Sequence, residues 1–316
     1  MARAAITNIR TIVRRIEAAG DGIKLLTLED EDIWELPRAR PGAHIDLFLP
    51  DKLLRTYSLC SGPGHRTRYE IAVKREANGR GGSIMVHDRV REGDVIGVSL
   101  PRGGLALPEG TEQVFIAGGI GLTPFLSAAD ALLARGDRNW VMHVLARGEP
   151  PLARLLAPLR ECGRVVCYDT SVGRPDLRAL IGPPRPGVVL SCCGPPGMLD
   201  AFDAATADWP PEQRHVERFK PPVIAPDPDA GPYTLVLAKS NRSMDVPLGM
   251  PMLEAIGQCG VDVPTSCGGG ICGACKVGVL GGSPLHRDRF LSTAEREHDL
   301  LACVAGCAGG TLILDL

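Results

Sequence analysis

Cys267-Gly-Gly-Gly-Ile-Cys272-Gly-Ala-Cys275, with Cys303 following in Leu300-Leu-Ala-Cys-Val304, decides how this sequence is read. The C-x4-C-x2-C spacing with a fourth, distant cysteine is that of a plant-type [2Fe–2S] centre. Two irons need four thiolates, so three come from one loop and one from a separate turn. The loop must wrap tightly enough for backbone N–H groups to face the sulfides. Gly268, Gly269, Gly270 and Gly273 suit that, because glycine accepts positive φ and lets backbone approach a bulky ligand closely. The candidate metal ligands are therefore Cys267, Cys272, Cys275 and Cys303. C-x2-C is also a zinc spacing, but structural zinc sites pair two such knuckles, and only Cys307 lies near Cys303 in sequence.

Around this loop, Tyr233–Ala238 and Arg242–Val246 read as a hairpin, Met252–Gly257 as a helix and Thr311-Leu-Ile-Leu as a closing strand. The arrangement resembles the β-grasp layout of plant-type ferredoxins. Upstream, Lys220–Pro232 holds five prolines in thirteen residues. Such a tract stays extended and semi-rigid and marks a boundary.

Between about Gln113 and Phe219, strand and helix patterns alternate, the signature of a parallel α/β sheet. Val114-Phe-Ile-Ala-Gly-Gly119-Ile-Gly121-Leu-Thr123-Pro124 reads as a buried strand, a glycine turn and a helix opened by proline. Trp140–Ala146, Arg164–Tyr168 and Gly187–Cys193 are further strands, with a helix near Leu152–Leu159. Ligands of open parallel sheets bind outside the strand C-terminal ends, where Gly118–Pro124 and Cys193-Gly-Pro-Pro-Gly-Met198 would both lie. A buried small hydrophobe is the plain alternative for Cys193.

From Ile6 to Pro101 the pattern is short alternating strands with turn residues between them, an antiparallel barrel. Ile23–Leu28, His44–Leu49, Arg68–Val73 and Val95–Leu100 are its clearest strands. In Arg55-Thr-Tyr57-Ser58, Arg55 and Tyr57 share one face of a strand, so a guanidinium can grip a phosphate while a phenol packs on a planar ring. Gly79-Arg-Gly81-Gly82-Ser83 then opens a helix, presenting free N–H groups to an anion. Alone, the first stretch is also an ordinary strand and the second a loop with Ser83 as N-cap.

Arg-x-Tyr-Ser followed by Gly-Arg-Gly-Gly-Ser-x-x-x-His resembles the flavin domain of the phthalate dioxygenase reductase family, in the ferredoxin–NADP reductase superfamily. The resemblance runs along essentially the whole chain, because that family also ends on its cluster domain. It implies flavin contacts at Arg55, Thr56, Tyr57, Ser58, Val73, Lys74, Gly81, Gly82 and Ser83, with FMN favoured over FAD by the Gly-Gly-Ser form. It implies that Thr123 and Cys193 lie beside the reactive nicotinamide ring. Gly119, Gly121, Gly194 and Pro195 would contact the dinucleotide, Arg147 a phosphate or ribose, and Phe219 of Glu217-Arg-Phe219 would cap the flavin; a core phenylalanine is the alternative. Arg147 is the only base in Ala146–Pro150, and Glu149 opposes a 2′-phosphate, so NADH is expected over NADPH.

The expected architecture is thus multi-domain: an antiparallel β-barrel flavin domain (1–104), a parallel α/β NAD-binding domain (105–222), a linker (223–232) and a β-grasp ferredoxin domain (233–316). A nicotinamide gives two electrons at once, a [2Fe–2S] cluster takes one, and a flavin converts between them. The resemblance implies a relay from NADH through FMN and the cluster to a separate Rieske-type oxygenase acting on an aromatic or similar substrate. Alternatives are a diiron oxygenase or a haem protein as acceptor, or a non-catalytic redox sensor, which would not need a hydride donor site. A net charge of −2 carries no footprint for nucleic acid or anionic membrane. No apolar run reaches 18 residues and no signal-peptide pattern opens the sequence. The cysteines outside the cluster motif (Cys60, Cys162, Cys167, Cys192, Cys193, Cys259 and Cys307) form no small disulfide scaffold, so a cytoplasmic protein with reduced thiols is expected.

Overall fold

The computed structural model describes residues 8–51, 53–219 and 228–316. The opening heptapeptide and the first half of the proline tract lie outside the described residues. The chain divides into two compact units, 1–219 and 220–316.

The first unit opens with six antiparallel strands: β1 (Asn8–Ala18), β2 (Ile23–Asp30), β3 (His44–Leu49), β4 (Leu53–Ser58), β5 (Arg68–Lys74) and β6 (Val95–Ser99). Their order is β4-β3-β6-β1-β2-β5. A bridge between Leu59 and Ile71 joins the two edges into a barrel. Alternation sends Val13, Leu26, Ile45, Leu47, Ile71 and Val98 inward, each fully buried; burying such a side chain contributes about 1.5–3 kcal/mol. The short helix α1 (Gly82–Asp88) follows β5, and Gly81 at its N-cap has φ +79°.

A parallel sheet follows, built from β7 (Glu112–Gly118), α2 (Thr123–Ala134), β8 (Trp140–Ala146), α3 (Ala153–Glu161), β9 (Val165–Asp169), α4 (Leu177–Ile181), β10 (Val188–Cys193), α5 (Pro196–Ala205) and β11 (Arg214–Glu217). The strand order β11-β10-β7-β8-β9 places the reversal of direction between β7 and β10. Barrel residues Ile23, Leu25, Cys60 and Ala72 share one core with Phe115, Phe125, Trp140 and Cys193 of the sheet layer. Arg154 of α3 adds ion pairs to Glu70 at 2.7 Å and Glu17 at 3.2 Å.

The second unit holds β12 (Tyr233–Leu237), β13 (Arg242–Val246), α6 (Met252–Gln258), β14 (Lys276–Gly281), β15 (Pro284–Leu285), β16 (Asp299–Leu301), β17 (Gly306–Cys307) and β18 (Gly310–Leu314). Its mixed sheet runs β13-β12-β18-β14-β16, with β12 and β18 parallel at the centre. Helix α6 packs Met252, Ala255 and Ile256 against Leu235, Leu237 and Leu312. None of the eleven cysteines is disulfide-bonded. Among the described residues, no helix is long and apolar enough to cross a membrane.

Candidate electron-transfer site

The cluster loop fills the gap between α6 and β14. Gly268, Gly270 and Gly273 all have positive φ, between +68° and +74°. At Gly270 a Cβ would meet Val304 at 2.8 Å and the Asp288 backbone at 3.0 Å, so glycine is required by space as well as conformation. The tight wrap aims amides at sulfur: Gly269 N donates to Cys267 Sγ at 3.3 Å, Ala274 N to Cys272 and Gly270 N to Cys303. The thiols themselves pair, Cys267 with Cys272 and Cys275 with Cys303, with Cys267 also bonded to Cys303. Among the described residues, no three His, Cys, Asp or Glu side chains converge on one point as ligands of a single ion. Four thiols drawn together in this way, with amides turned on the sulfurs, fit the ligand set of a binuclear iron centre.

In the first unit, β4 ends beside the start of α1. The Arg55 side chain passes so close to Gly82 that a Cβ there would fall 2.3 Å from its Cγ. Its guanidinium donates to the carbonyls of Leu54 (2.8 Å) and Arg80. Burial, and then the Arg80 cation, hold the Arg55 pKa below its ordinary value. Two neighbouring guanidinium groups, neither in an ion pair among the described residues, beside a glycine turn make a cradle suited to a phosphate. Tyr57 lies on the same face of β4 as Arg55, its phenol pushed up to about 12 by burial.

Three of the residues expected to contact flavin are engaged by partners within the unit. The Thr56 hydroxyl donates to Asp46 Oδ1 at 2.6 Å, on the face of β4 opposite Arg55 and Tyr57. Val73 is fully buried in the barrel core, and its carbonyl meets His87 Nε2 at 2.8 Å. Strand alternation explains both, since neighbours of a site residue in sequence face away from it. Ser83 is not the N-cap of α1; its hydroxyl accepts from Glu76 N at 3.1 Å and ties the preceding loop to the helix. Lys74 is exposed, 3.5 Å from Glu76.

The nucleotide motifs meet at the switch point of the parallel sheet. A 3₁₀ turn, Gly119–Leu122, links β7 to α2. A Cβ on Gly121 would lie 2.2 Å from the Cys193 carbonyl, and one on Gly118 would lie 2.6 Å from Pro195. The two glycine turns thus touch backbone to backbone outside the strand ends, the place where open parallel sheets bind their ligands. Thr123 is buried and its hydroxyl donates to Ile120 O at 3.2 Å. Cys193 is fully buried, and burial with nearby Glu217 holds its thiol protonated. Arg147 is exposed just past β8. Phe219 is 40% exposed, so it is not a core phenylalanine.

Glu217 is the site residue that motif reading did not assign. It pairs with Cys193 across β10 and β11 and accepts a 3.0 Å hydrogen bond from Ser58 Oγ of the barrel. Burial raises its carboxyl to about 7, with the Ser58 bond acting in the opposite sense. Asp169, at the C-terminal end of β9, was also passed over. Its Oδ1 accepts from Gly148 N (2.9 Å), Ser171 N (2.8 Å) and Ser171 Oγ (2.6 Å). Glu217 stands in the quoted Glu217-Arg-Phe219 stretch, but its partner Ser58 lies 159 residues away, and Asp169 looks in sequence like an ordinary turn aspartate bonded to Ser171.

A flavin-type barrel, a switch-point nucleotide crevice and a ferredoxin-type thiol loop on one chain define an iron–sulfur flavoprotein oxidoreductase. Residues 235–307 match the family model of the 2Fe-2S iron-sulfur cluster binding domain. The chain is 39% identical to the tert-butanol monooxygenase / tert-amyl alcohol desaturase reductase subunit of Aquincola tertiaricarbonis, over 98% of this chain and 96% of that one. It superposes on the solved structure of phthalate dioxygenase reductase, a modular protein for electron transfer from pyridine nucleotides to [2Fe–2S], with a TM-score of 0.72 and 32% identity over 98% of both chains. It also matches 41% of an intact type IV self-sufficient cytochrome P450 monooxygenase, with a TM-score of 0.86 and 34% identity over 98% of this chain. The chain belongs to the phthalate dioxygenase reductase family.

Proposed function

We propose that this chain takes electron pairs from NADH onto a bound FMN and passes them singly, through a [2Fe–2S] cluster, to a separate Rieske-type oxygenase in the cytoplasm. The oxygenase would hydroxylate or O-demethylate an aromatic or similar substrate. The flavin supplies the conversion between paired and single electrons. The observation that carries the reading is Ser58, on the flavin strand, bonded to Glu217 beside Cys193 at the nucleotide crevice. The flavin and nucleotide sites so share one wall.

The residues divide the work. Arg55, Arg80 and the Gly81-Gly82 turn favour the single terminal phosphate of FMN, and Tyr57 offers its phenol to the ring. Gly119, Gly121, Gly194 and Pro195 leave backbone room for the dinucleotide. Buried Thr123 and Cys193 shape the floor without titrating. Glu149 and the charged Asp169 beside Arg147 disfavour a 2′-phosphate and so favour NADH. The paired thiols of Cys267, Cys272, Cys275 and Cys303 hold the cluster.

The test is anaerobic titration of the purified protein with NADH, following flavin and cluster bands, with cofactor extraction and iron analysis. The expected result is FMN, about two irons per chain and reduction of both centres, then substrate-dependent NADH oxidation on adding a Rieske oxygenase. A colourless, zinc-bearing protein would sink the proposal. A haem acceptor is the second reading, favoured by the same module's occurrence within a self-sufficient P450 chain; reduction of a P450 and not of any Rieske oxygenase would select it.

A further inference from the structure

The segment that covers the cluster loop is basic where it meets solvent. Arg289 N donates to Gly270 O at 3.0 Å, fastening this stretch to the loop, while the Arg289 side chain is exposed. Arg287 instead turns inward: its Nε is buried, and a Cβ on Gly306 would lie 2.6 Å from its Nη2. Between them Asp288 is buried. Its carboxylate accepts from the backbone of Phe290 (3.2 Å) and Leu291 (2.8 Å), and Arg296 donates to its carbonyl at 2.7 Å. Arg296 also pairs with Asp288 Oδ2 at 3.5 Å, so Arg289 is the arginine of this segment left exposed and unmatched at the rim.

Among the described residues, neither Arg287 nor Arg289 makes an ion pair. Among the described residues of the unit, both lysines are matched: Lys239 with Asp315 and Lys276 with Glu295 and Asp299. Acidic residues outnumber Lys and Arg over 228–316, so this unopposed positive rim runs against the unit's own composition.

We propose that Arg289, fastened to the cluster loop by its own backbone, is the cationic docking rim through which the cluster meets a protein acceptor whose electron-entry face is acidic. Four thiolates make the loaded site anionic, and an acidic partner would be repelled from a bare loop. A cation at the lip offsets that repulsion and steers the encounter, an effect that salt screens. The inference rests on the reading that the cluster passes electrons to a separate protein.

The test separates the two. The cluster of the holoprotein is reduced with dithionite, excess reductant is removed anaerobically, and reoxidation of the cluster band is followed by stopped flow. The probes are anionic ferricyanide and cationic hexaammineruthenium(III). Arg289→Glu should slow ferricyanide and speed hexaammineruthenium(III), each roughly 3- to 10-fold at low ionic strength, with both effects fading in salt. Arg289→Gln should give smaller shifts of the same signs. Arg242→Glu, the same charge change on the sheet edge opposite β16, is the control and should move neither rate. A change acting only on the cluster's potential would move both rates the same way, and that result, or equal behaviour of Arg289→Glu and Arg242→Glu, overturns the rim. If NADH fails to reduce the cluster while the dithionite-reduced protein shows the charge pattern, the relay fails and the rim stands.

Discussion

Ser58 Oγ donates to Glu217 Oε1 at 3.0 Å, joining the barrel to the last strand of the parallel sheet across 159 residues of sequence. Beside this bond lie two residues expected to contact cofactors, Tyr57 next to Ser58 and Cys193 paired with Glu217. Burial keeps the Glu217 carboxyl protonated up to about pH 7. The arrangement holds an ionisable group, poised near neutrality, between the proposed flavin and nucleotide sites.

Glu217→Gln should therefore flatten the pH profile. NADH-dependent flavin reduction in the native protein is expected to inflect near pH 7, and the variant to lose that inflection with a rate about 10- to 100-fold lower. Stability moves the other way. The folded carboxyl holds its proton above the unfolded value, so native stability falls as pH rises from about 4.5 through 7. The glutamine variant escapes this loss, worth about 1–3 kcal/mol, and should melt higher relative to native protein at pH 8 than at pH 4. An unchanged inflection would remove Glu217 from the site.

Gly121→Ala tests the contact between the two glycine turns. Its Cβ would lie 2.2 Å from the Cys193 carbonyl, and backbone cannot yield as a flexible side chain can. The turns must part, misplacing the nucleotide. KM for NADH should rise about 10-fold or more, while flavin and iron content stay native. Loss of flavin instead would mean that the barrel depends on this contact.

Gly270→Ala acts on the other unit. The new methyl would strike Val304 and the Asp288 backbone at a φ of +69°, a combined strain of about 1–3 kcal/mol. Iron content and visible cluster absorbance should fall while NADH-dependent flavin reduction persists. Full cluster occupancy in the variant would contradict the fit of this loop to the metal.

How far sequence carries the reading depends on whether a residue's role is local. The four candidate ligand cysteines are legible because a loop's spacing and its glycines travel together. Strands His44–Leu49, Trp140–Ala146 and Arg242–Val246 have the bounds that alternation or a sustained apolar run marks. Strand β1, with its arginines and a bulge between Val13 and Arg15, breaks that alternation and escapes notice. Helix α5 hides behind two prolines that read as a turn. Thr56 sits inside the Arg-x-Tyr-Ser motif yet bonds Asp46 on the opposite face, and Glu217 gains its partner from a serine in another layer.

Asp169 offers the sharpest test of nucleotide choice. Hydrogen bonds from Ser171 Oγ, Gly148 N and Ser171 N hold its carboxyl below the usual carboxylate range, so it stays charged at any working pH. It stands at the end of β9, bonded to the loop that carries Arg147 and Glu149. A 2′-phosphate entering there would meet this fixed negative charge, whereas a ribose hydroxyl could donate to it. Native protein should accordingly use NADH at least about 10-fold better than NADPH by kcat/KM. Asp169→Asn keeps an acceptor and removes the charge, so it should raise the NADPH/NADH ratio by about 10-fold, chiefly through KM for NADPH. Because the asparagine can still take the Ser171 and Gly148 bonds, a ratio that does not move would mean that the 2′ position of the nucleotide lies away from β9.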